Sequence, residues 1–482
     1  MAIRFFAAAA ALALALPAAR PAPPSVALPG WIGKAGAMSR PPETPVYAVG
    51  AYGAVAGGRI LDTAAIQNAI DACASHGGGT VTFAPGRYLT GALFVKSRVR
   101  LHIPKGVTLV ATTDEKDYPL LPTRVAGIDM RWPAAVLNVY AQHDAEIDGG
   151  GTVDGNGPFW WRKYWALRRA YTPRGLRWAA DYDCRRVRLV VVWKSQQVTL
   201  SGLNLHRSGF WTVQVTYSDH VTVDGVRIAQ NFEMGGIRGP STDGVDIDSS
   251  RYVLVQGCDI DNNDDDICLK AGRTSDGLRV NRPTEYVVIR HNICRRGGGV
   301  VAFGSGTAGF IRHVVAYDDL GLGTSEGLRF KSAHNGGGGV EDVLVRDITL
   351  LNVPLPFTFT FDWNPGYSYP RIPSGTIRVP RYWKVLATPV EPARRGWPVF
   401  RDITIANVRA VGARTILTAA GMARNPLGAV HWENIVAQGG EAGTVRDARD
   451  WTMRHVTFTT DGGNPLRLVD CHHVQSPVVA AR

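Results

Sequence analysis

The sequence predicts an all-β protein, a single-stranded right-handed parallel β-helix (a solenoid) closed at its start by a short N-terminal capping helix, and three observations carry that prediction. The first is a repeated unit. Residues 198–205, 221–228, 253–260, 343–350 and 403–410 each place apolar residues at positions one, three, six and eight, with Gly, Asp or Asn at five. Period-two alternation marks a strand with one buried face, and the break at position five marks a bend between two strands. Such a unit cannot bury its own apolar face, but stacked copies make a continuous core. The second observation is the spacing of four polar motifs at intervals of 22, 33 and 31 residues, within the range of one solenoid coil. The third is composition: 54 glycines in 482 residues and almost no long helical pattern. A β-sandwich is the competing reading, and it is weakened because tight Asn-Gly or Asp-Gly hairpin turns are sparse between the units.

Along the chain, residues 1–19 combine a short basic start, the apolar run 5–16 and the small-residue end Pro17-Ala18-Ala19, the pattern of a secretory signal. The protein is therefore expected to be exported, to the periplasm or the extracellular space. The apolar run is too short to span a bilayer. The Pro/Ala-rich residues 20–45 read as a flexible leader, and residues 46–482 as one β-helix domain. In residues 64–74 the apolar Ile66, Ala69, Ile70 and Cys73 recur at helical spacing after Asp62 and Thr63, which predicts the capping helix. A cap is needed because the first coil would otherwise expose strand edges and core. Gly77-Gly78-Gly79 leads into a strand and lacks the Lys-Ser/Thr of a phosphate loop. The aromatic cluster Phe159, Trp160, Trp161, Tyr164 and Trp165 suits either stacking on sugar rings or packing of a loop on the helix flank. Residues 357–398 interrupt the repeat with prolines and with Trp363, Tyr367, Tyr369, Tyr382 and Trp383, and a loop of that length would wall a cleft. The repeats resume at Phe400, and residues 466–479 read as an irregular end cap.

The formal charge of +12 favours an anionic partner. Nucleic acid is disfavoured, because the basic residues are scattered and no zinc-finger or basic-helix motif is present. Six cysteines lack metal-type spacing and are too sparse for a disulfide scaffold. Cys258, at an inward position of its unit, and Cys268 and Cys294, in similar apolar strands, read as core thiols. No cofactor and no metal are expected. The protein is expected to be a monomer without stable membrane association.

The four motifs are Ser241-Thr242-Asp243-Gly244, Asp264-Asp265, Gly297-Gly298-Gly299 and Arg329-Phe330-Lys331. Adjacent coils lie about 4.8 Å apart, so stacking would gather three carboxylates and two cations on one patch. That is equipment for cleaving a glycosidic bond beside an anionic sugar. Taken singly, an Asp-Asp pair is more often a solvated turn, and an Arg-x-Lys strand an exposed face. Their joint order and one-coil spacing carry the inference.

With residues 64–70, Gly77-Gly78-Gly79-Thr80-Val81, residues 147–156, Ser201-Gly202-Leu203 and Phe210-Trp211-Thr212, these motifs resemble glycoside hydrolase family 28, the polygalacturonases and rhamnogalacturonan hydrolases, over nearly the whole chain after the leader. The family's Asn-Thr-Asp corresponds to Ser241-Thr242-Asp243, its Gly-His-Gly to Gly297-Gly298-Gly299, and its Arg-Ile-Lys to Arg329-Phe330-Lys331. Lys270 and Gly272 fix the alignment of Asp264-Asp265. Two departures stand out: Ser241 replaces the asparagine and Gly298 the histidine.

The resemblance implies an inverting hydrolase acting on acidic pectic polysaccharides or oligosaccharides, with Asp264 as general acid and Asp243 with Asp265 positioning the water. Crowded like charges raise the proton affinity of at least one carboxyl, as a general acid requires. Arg329 and Lys331, on one strand face, suit a uronate carboxylate. Ser241, Gly298, Trp363 and Tyr367 join the expected substrate contacts. Asp246, Asp248 and Asp266 are expected in structural or outer positions. The two departures point away from plain homogalacturonan, toward rhamnogalacturonan or another uronate substrate, with exo or endo action open. A calcium-dependent pectate-lyase-type enzyme using Asp264, Asp265 and Asp266 as ligands, and an inactive polysaccharide-binding solenoid, are the alternatives.

Overall fold

The corner of each repeat is a left-handed residue. In the computed structural model, which describes residues 26–229 and 233–482, position five of the units has φ +65 at Gly202, +60 at Gly225, +63 at Gly257, +56 at Asp347 and +53 at Asn407. Glycine adopts this region freely, and Asp or Asn more readily than other side chains, which explains the residue choice at that position.

Between corners the strands stack in parallel and in register. Val198 pairs with Val221, then Val253, Val287, Val314, Val343, Ile403, Val430 and Trp451 in an unbroken ladder. A second ladder runs Leu205, Ile228, Ile260, Cys294. A third runs Val190, Val213, Val245, Ile267, Val301, Leu328, Phe357, Leu417. These ladders form three faces of one right-handed parallel β-helix, as expected. Its core continues from rung to rung: Phe303, Phe330 and Phe359 stack at 4.4 and 4.5 Å with nearly parallel rings. Each such buried ring contributes about 1.5–3 kcal/mol by burial.

The helix Thr63–Ser75 buries Ile66, Ala69, Ile70 and Cys73 over the open first coil, as the spacing predicts. Other expectations need correction. From Val26 the leader is a packed strap: Val26, Leu28, Trp31 and Ile32 cover Val288, Val315, Tyr317 and Leu344, and Trp31 meets the Tyr286 ring edge-on at 5.4 Å. Its apolar side chains fill the outer surface of the coils, which Pro/Ala content alone did not reveal. The residues read as the secretory signal, and residues 20–25, lie outside the described residues. The insertion starts later than 357, because Leu355–Thr360 is a strand paired on both sides. Residues 466–479 are not irregular: Arg467–Val469, His472–Val474 and Val478–Ala481 continue the coil. Among the described residues no helix is long and apolar enough to cross a membrane.

Three excursions rise over the third face: an antiparallel hairpin (Leu120–Val125 with Ile128–Pro133), the helical segment 157–183, and residues 361–398. They share one apolar cluster containing Val125, Ile128, Trp132, Trp178, Phe210, Tyr367 and Trp383. Trp160, Trp161 and Tyr164 are fully buried, so those rings pack the flank and do not form a sugar platform.

Candidate active site

On the third face alternate side chains point outward. Behind them lie Ile267 and Leu269, Val301 and Phe303, Leu328 and Phe330 in the core; in front stand Cys268 and Lys270, then Arg329 and Lys331. The turns before these strands stack as well, through Gly244 N to Asp265 O and Asp266 N to Gly299 O, both 2.9 Å. That stacking brings Asp243, Asp264 and Asp265 into one cleft of about 150 Å³, lined also by Ser241, Lys270, Lys331, Trp363, Tyr367, Trp211, Arg177, Asp181 and Arg273.

The carboxyls differ sharply in their partners. Asp265 is buried and accepts from Arg329 Nη1 at 2.9 Å and Lys331 Nζ at 2.5 Å. Burial disfavours its charge, but the Lys331 and Arg329 cations outweigh that and hold it well below the ordinary carboxylate range. Asp264 is half-buried; its proton affinity is raised, first by burial and then by the neighbouring Asp265 charge. Asp243, 4% exposed, is raised well above the usual range by burial and by Asp246 and Asp264. One cleft thus holds a fixed carboxylate beside two carboxyls that retain protons more readily. This is the arrangement that acid–base hydrolysis needs.

The expected substrate contacts are only partly of the kind foreseen. Arg329 and Lys331 share a face as expected, yet both are engaged with Asp265, Arg329 also with Glu326 at 3.0 Å. Lys331 lines the cleft with its ammonium 4.8 Å from the Trp363 ring, and Arg329 is not among the lining residues. Ser241 Oγ donates to Asp181 Oδ1 at 3.0 Å. Trp363 and Tyr367 line the cleft. Gly298 lies against the Asp264–Asp265 turn: its N donates to Asp264 O at 2.7 Å, and a Cβ there would stand 3.0 Å from Asp264 C and 3.1 Å from Asp265 N. Gly297 is required by Asp266, whose carboxyl would meet a Cβ at 2.2 Å.

Asp266 accepts from Asn262 Nδ2 and is fully buried, so Asp264, Asp265 and Asp266 do not present one set of oxygen ligands. Cys268 is not a core thiol. It stands on the outward face, 3.3 Å from Asp265 Oδ2 and 2.9 Å from Lys270 Nζ. Its Sγ and oxygens of Asp243 and Asp265 lie within 4.8 Å of one another, but the Lys270 ammonium already supplies a positive charge beside them.

The cleft is closed on one side. The hairpin covers the preceding rungs: Gln214 Nε2 donates to Arg124 O, and Arg124 Nη1 to Asp248 Oδ1, both at 2.9 Å, with Gln214 and Thr216 fully buried. Beside this cover, Tyr182 and Tyr367 stack with parallel rings, and Arg273 ties them by donating to Tyr182 OH at 3.1 Å and Tyr367 O at 2.7 Å. The other side is open. From Arg329 the register continues outward through Thr358, Thr418 and Thr444 to Arg467, with Thr418 and Arg467 exposed.

Sequence reasoning missed Arg177, Asp181, Arg273 and Trp211 as lining residues. Trp211 and Lys270 sat inside stretches already singled out; Asp181 and Arg177 come from a helical excursion with no repeat signature to flag them.

Comparison with known proteins agrees with this architecture. The chain is 28% identical over 319 residues to a probable polygalacturonase of Vitis vinifera, covering 64% of this chain and 61% of that one. It is 27% identical over 338 residues to an exo-poly-alpha-D-galacturonosidase of Dickeya chrysanthemi, covering 63% and 54%. The matches thus span only about half to three fifths of these relatives. A family 28 exopolygalacturonase of Yersinia enterocolitica superposes with a TM-score of 0.74 at 22% identity, over 91% of this chain and 79% of that one. The model of glycosyl hydrolases family 28 matches residues 98–368, more than half of the chain, and with the β-helix and its acidic cleft this establishes that the protein belongs to glycosyl hydrolase family 28.

Proposed function

We propose that this protein is an exported, exo-acting glycoside hydrolase that removes galacturonosyl residues from one end of pectic chains with inversion at the anomeric carbon. The single observation that carries the exo reading is the one-sided closure around Asp243, Asp264 and Asp265: a terminal sugar fits the closed pocket, and the rest of the chain leaves on the side of the later rungs, where Thr418 and Arg467 are exposed. A pocket of about 150 Å³ is well below the roughly 300–1,000 Å³ of drug-sized sites, which suits one ring better than several. The two curated relatives carry polygalacturonase and galacturonosidase names, and the basic chain suits a polyanion.

In this reading Asp264 gives its proton to the leaving glycosidic oxygen as the C–O bond breaks. A water, positioned by Asp243 and Asp265, attacks the anomeric carbon from the opposite face and gives its proton to the Asp243 carboxylate. Asp265, gripped by two cations, stays charged throughout; Asp264, poorly solvated beside it, keeps the proton it must donate. The replacement of Asn by Ser241 at the cleft lining supports a changed contact to the terminal ring, with a branched or rhamnogalacturonan-type end as the candidate, whereas Gly298 packs on the Asp264–Asp265 backbone.

The test is hydrolysis of homogalacturonan and rhamnogalacturonan oligosaccharides with early products followed by proton NMR, with and without a chelator. Release of one short product from the first moments, with inverted configuration and no chelator effect, supports the proposal. Mixed oligosaccharides of many lengths would refute exo action, an unsaturated product would indicate a lyase, and binding without turnover an inactive solenoid.

A further inference from the structure

Beneath Asp243 lies a group that the hydrolytic reading leaves unused. Lys270 projects outward from Ile267–Lys270 and is almost fully buried. Its ammonium meets Asp243 Oδ2 at 3.2 Å, is bonded to Asp246 Oδ1, donates to Cys268 Sγ at 2.9 Å and lies 4.8 Å from the Trp211 ring. It is distinct from Arg329 and Lys331, which serve Asp265. Asp246 is not an outer turn residue; it is fully buried, and its Oδ2 has no hydrogen-bond partner.

We propose that Lys270 and Asp246 are a positioning pair for Asp243: one ammonium is divided between two buried carboxyls, and the proton held at Asp246 decides how much of that charge Asp243 receives. The inference deepens the hydrolytic reading and rests on it.

Two buried carboxylates facing one cation carry a net negative charge in a poorly solvated place, and retention of a proton is the cheaper state. The orphaned Oδ2 is where that proton can sit without breaking the bond from Lys270 to Oδ1. Protonation of Asp246 then leaves the ammonium to Asp243, favouring the carboxylate that accepts the proton of water. Ionisation of Asp246 draws the ammonium back and adds a negative charge, pushing Asp243 toward its protonated form. The proton affinities agree in direction, since burial pushes Asp246 up to about 6 despite the opposing Lys270.

The other groups facing this pair are Asp264 and Asp265, whose charges oppose ionisation of Asp243 and Asp246; the Cys268 thiol, kept protonated by burial; and Arg188, behind Gln214, whose charge burial disfavours and Asp246 only partly supports. Cys268 extends the linkage, receiving from Lys270 and facing Asp265 Oδ2. The third carboxylate is thereby connected to the same cation.

The test combines kcat/KM from pH 4 to 9 with carbon-13 titration of aspartate carboxyls in full-length protein, for wild type, Asp246→Asn, Lys270→Met, Lys270→Arg and the double variant Asp246→Asn/Lys270→Met. Asp246→Asn is expected to lower the titration midpoint of Asp243 and the acid limb of kcat/KM by about one pH unit, and Lys270→Met to raise both by a similar amount. Lys270→Arg should restore most of the wild-type profile, and the double variant should return toward it because the charge balance is restored. A purely structural role predicts a lower kcat with both midpoint and limb unmoved. An Asp243 midpoint that does not move in Asp246→Asn, which is nearly isosteric, overturns the pairing. Full turnover in Asp243→Asn overturns instead the assignment of Asp243 to hydrolysis, and the carboxyl titration distinguishes the two failures.

Discussion

Replacing Lys331 by Met separates two roles that the motif alone leaves merged. The sequence assigns Lys331 to a substrate carboxylate; the structure has its ammonium 2.5 Å from Asp265 Oδ2, with side chains 3% and 2% exposed. Methionine keeps the stem's bulk and removes the charge. Breaking a buried ion pair costs about 3–5 kcal/mol, and the lower end applies because Arg329 remains on Asp265 at 2.9 Å. Lost attraction to the Trp363 ring adds about 0.5–2 kcal/mol. At about 2.1 cal/mol/K of unfolding entropy per residue, a chain of this size changes its Tm by about 1 °C per kcal/mol, so a fall of about 3–5 °C is expected.

The pH dependence has a definite sign. Asp265 is depressed in the folded protein, so the pair's contribution is fully present above the unfolded carboxylate value of about 4 and is lost only as pH falls toward the folded one. The Tm gap between Lys331→Met and wild type should therefore stay constant from pH 5 to 8 and narrow below pH 4. Thermal melts across that range, with kcat and KM on galacturonate oligosaccharides, measure both roles. A Tm within 1 °C of wild type, accompanied by a large rise in KM alone, would refute this account and return Lys331 to direct reading of the substrate.

Asp264→Asn is expected to lower kcat about 10²–10⁴-fold with little change in Tm, because it removes the proton that the proposed mechanism transfers and almost no volume; activity within a few-fold of wild type would reassign the acid. Gly298→Ala should lower kcat on every substrate by about tenfold or more, since its Cβ presses on the Asp264–Asp265 backbone and small misplacements of catalytic groups are expensive; a loss confined to one substrate would restore the view that this position reads the sugar. Arg273→Met should loosen the Tyr182–Tyr367 wall and add longer products to the initial profile, as resolved by chromatography of early digests; an unchanged product pattern would show that the wall does not limit chain entry.

Much of this architecture was legible because a β-helix is written in local code. Position five announced its own backbone: Gly202, Gly225, Gly257, Asp347 and Asn407 are all left-handed corners. The one-coil spacing of Asp243, Asp265, Gly298 and Arg329 announced adjacency, because parallel rungs convert sequence period into distance. What failed to show was anything fixed outside that period. Cys268 looked like its core neighbours Cys258 and Cys294, but alternation along its strand puts it beside Lys270 on the cleft side. Asp181 and Arg177 reach the cleft from an irregular excursion, held by Arg186 and Tyr367, through contacts that no strand period encodes. The destinations of Arg329 and Lys331 were also hidden, since a shared face does not reveal that Asp265 has claimed both charges.

The strap at the start of the described chain bears on folding kinetics. A solenoid made only of neighbour contacts can nucleate at any coil and propagate, with low contact order. Here the Val26 carbonyl accepts from Arg346 Nη1, 320 residues away, while Gly36 N donates to Tyr252 O and Ala37 N to Thr222 Oγ1. The strap, synthesised before the rungs it packs on, thus finds its berth only after those from Thr222 to Arg346 exist, so its docking reports completion of the central coils. Clipping or mutating it would leave nucleation untouched and accelerate unfolding, because interactions formed after the transition state act on the unfolding rate.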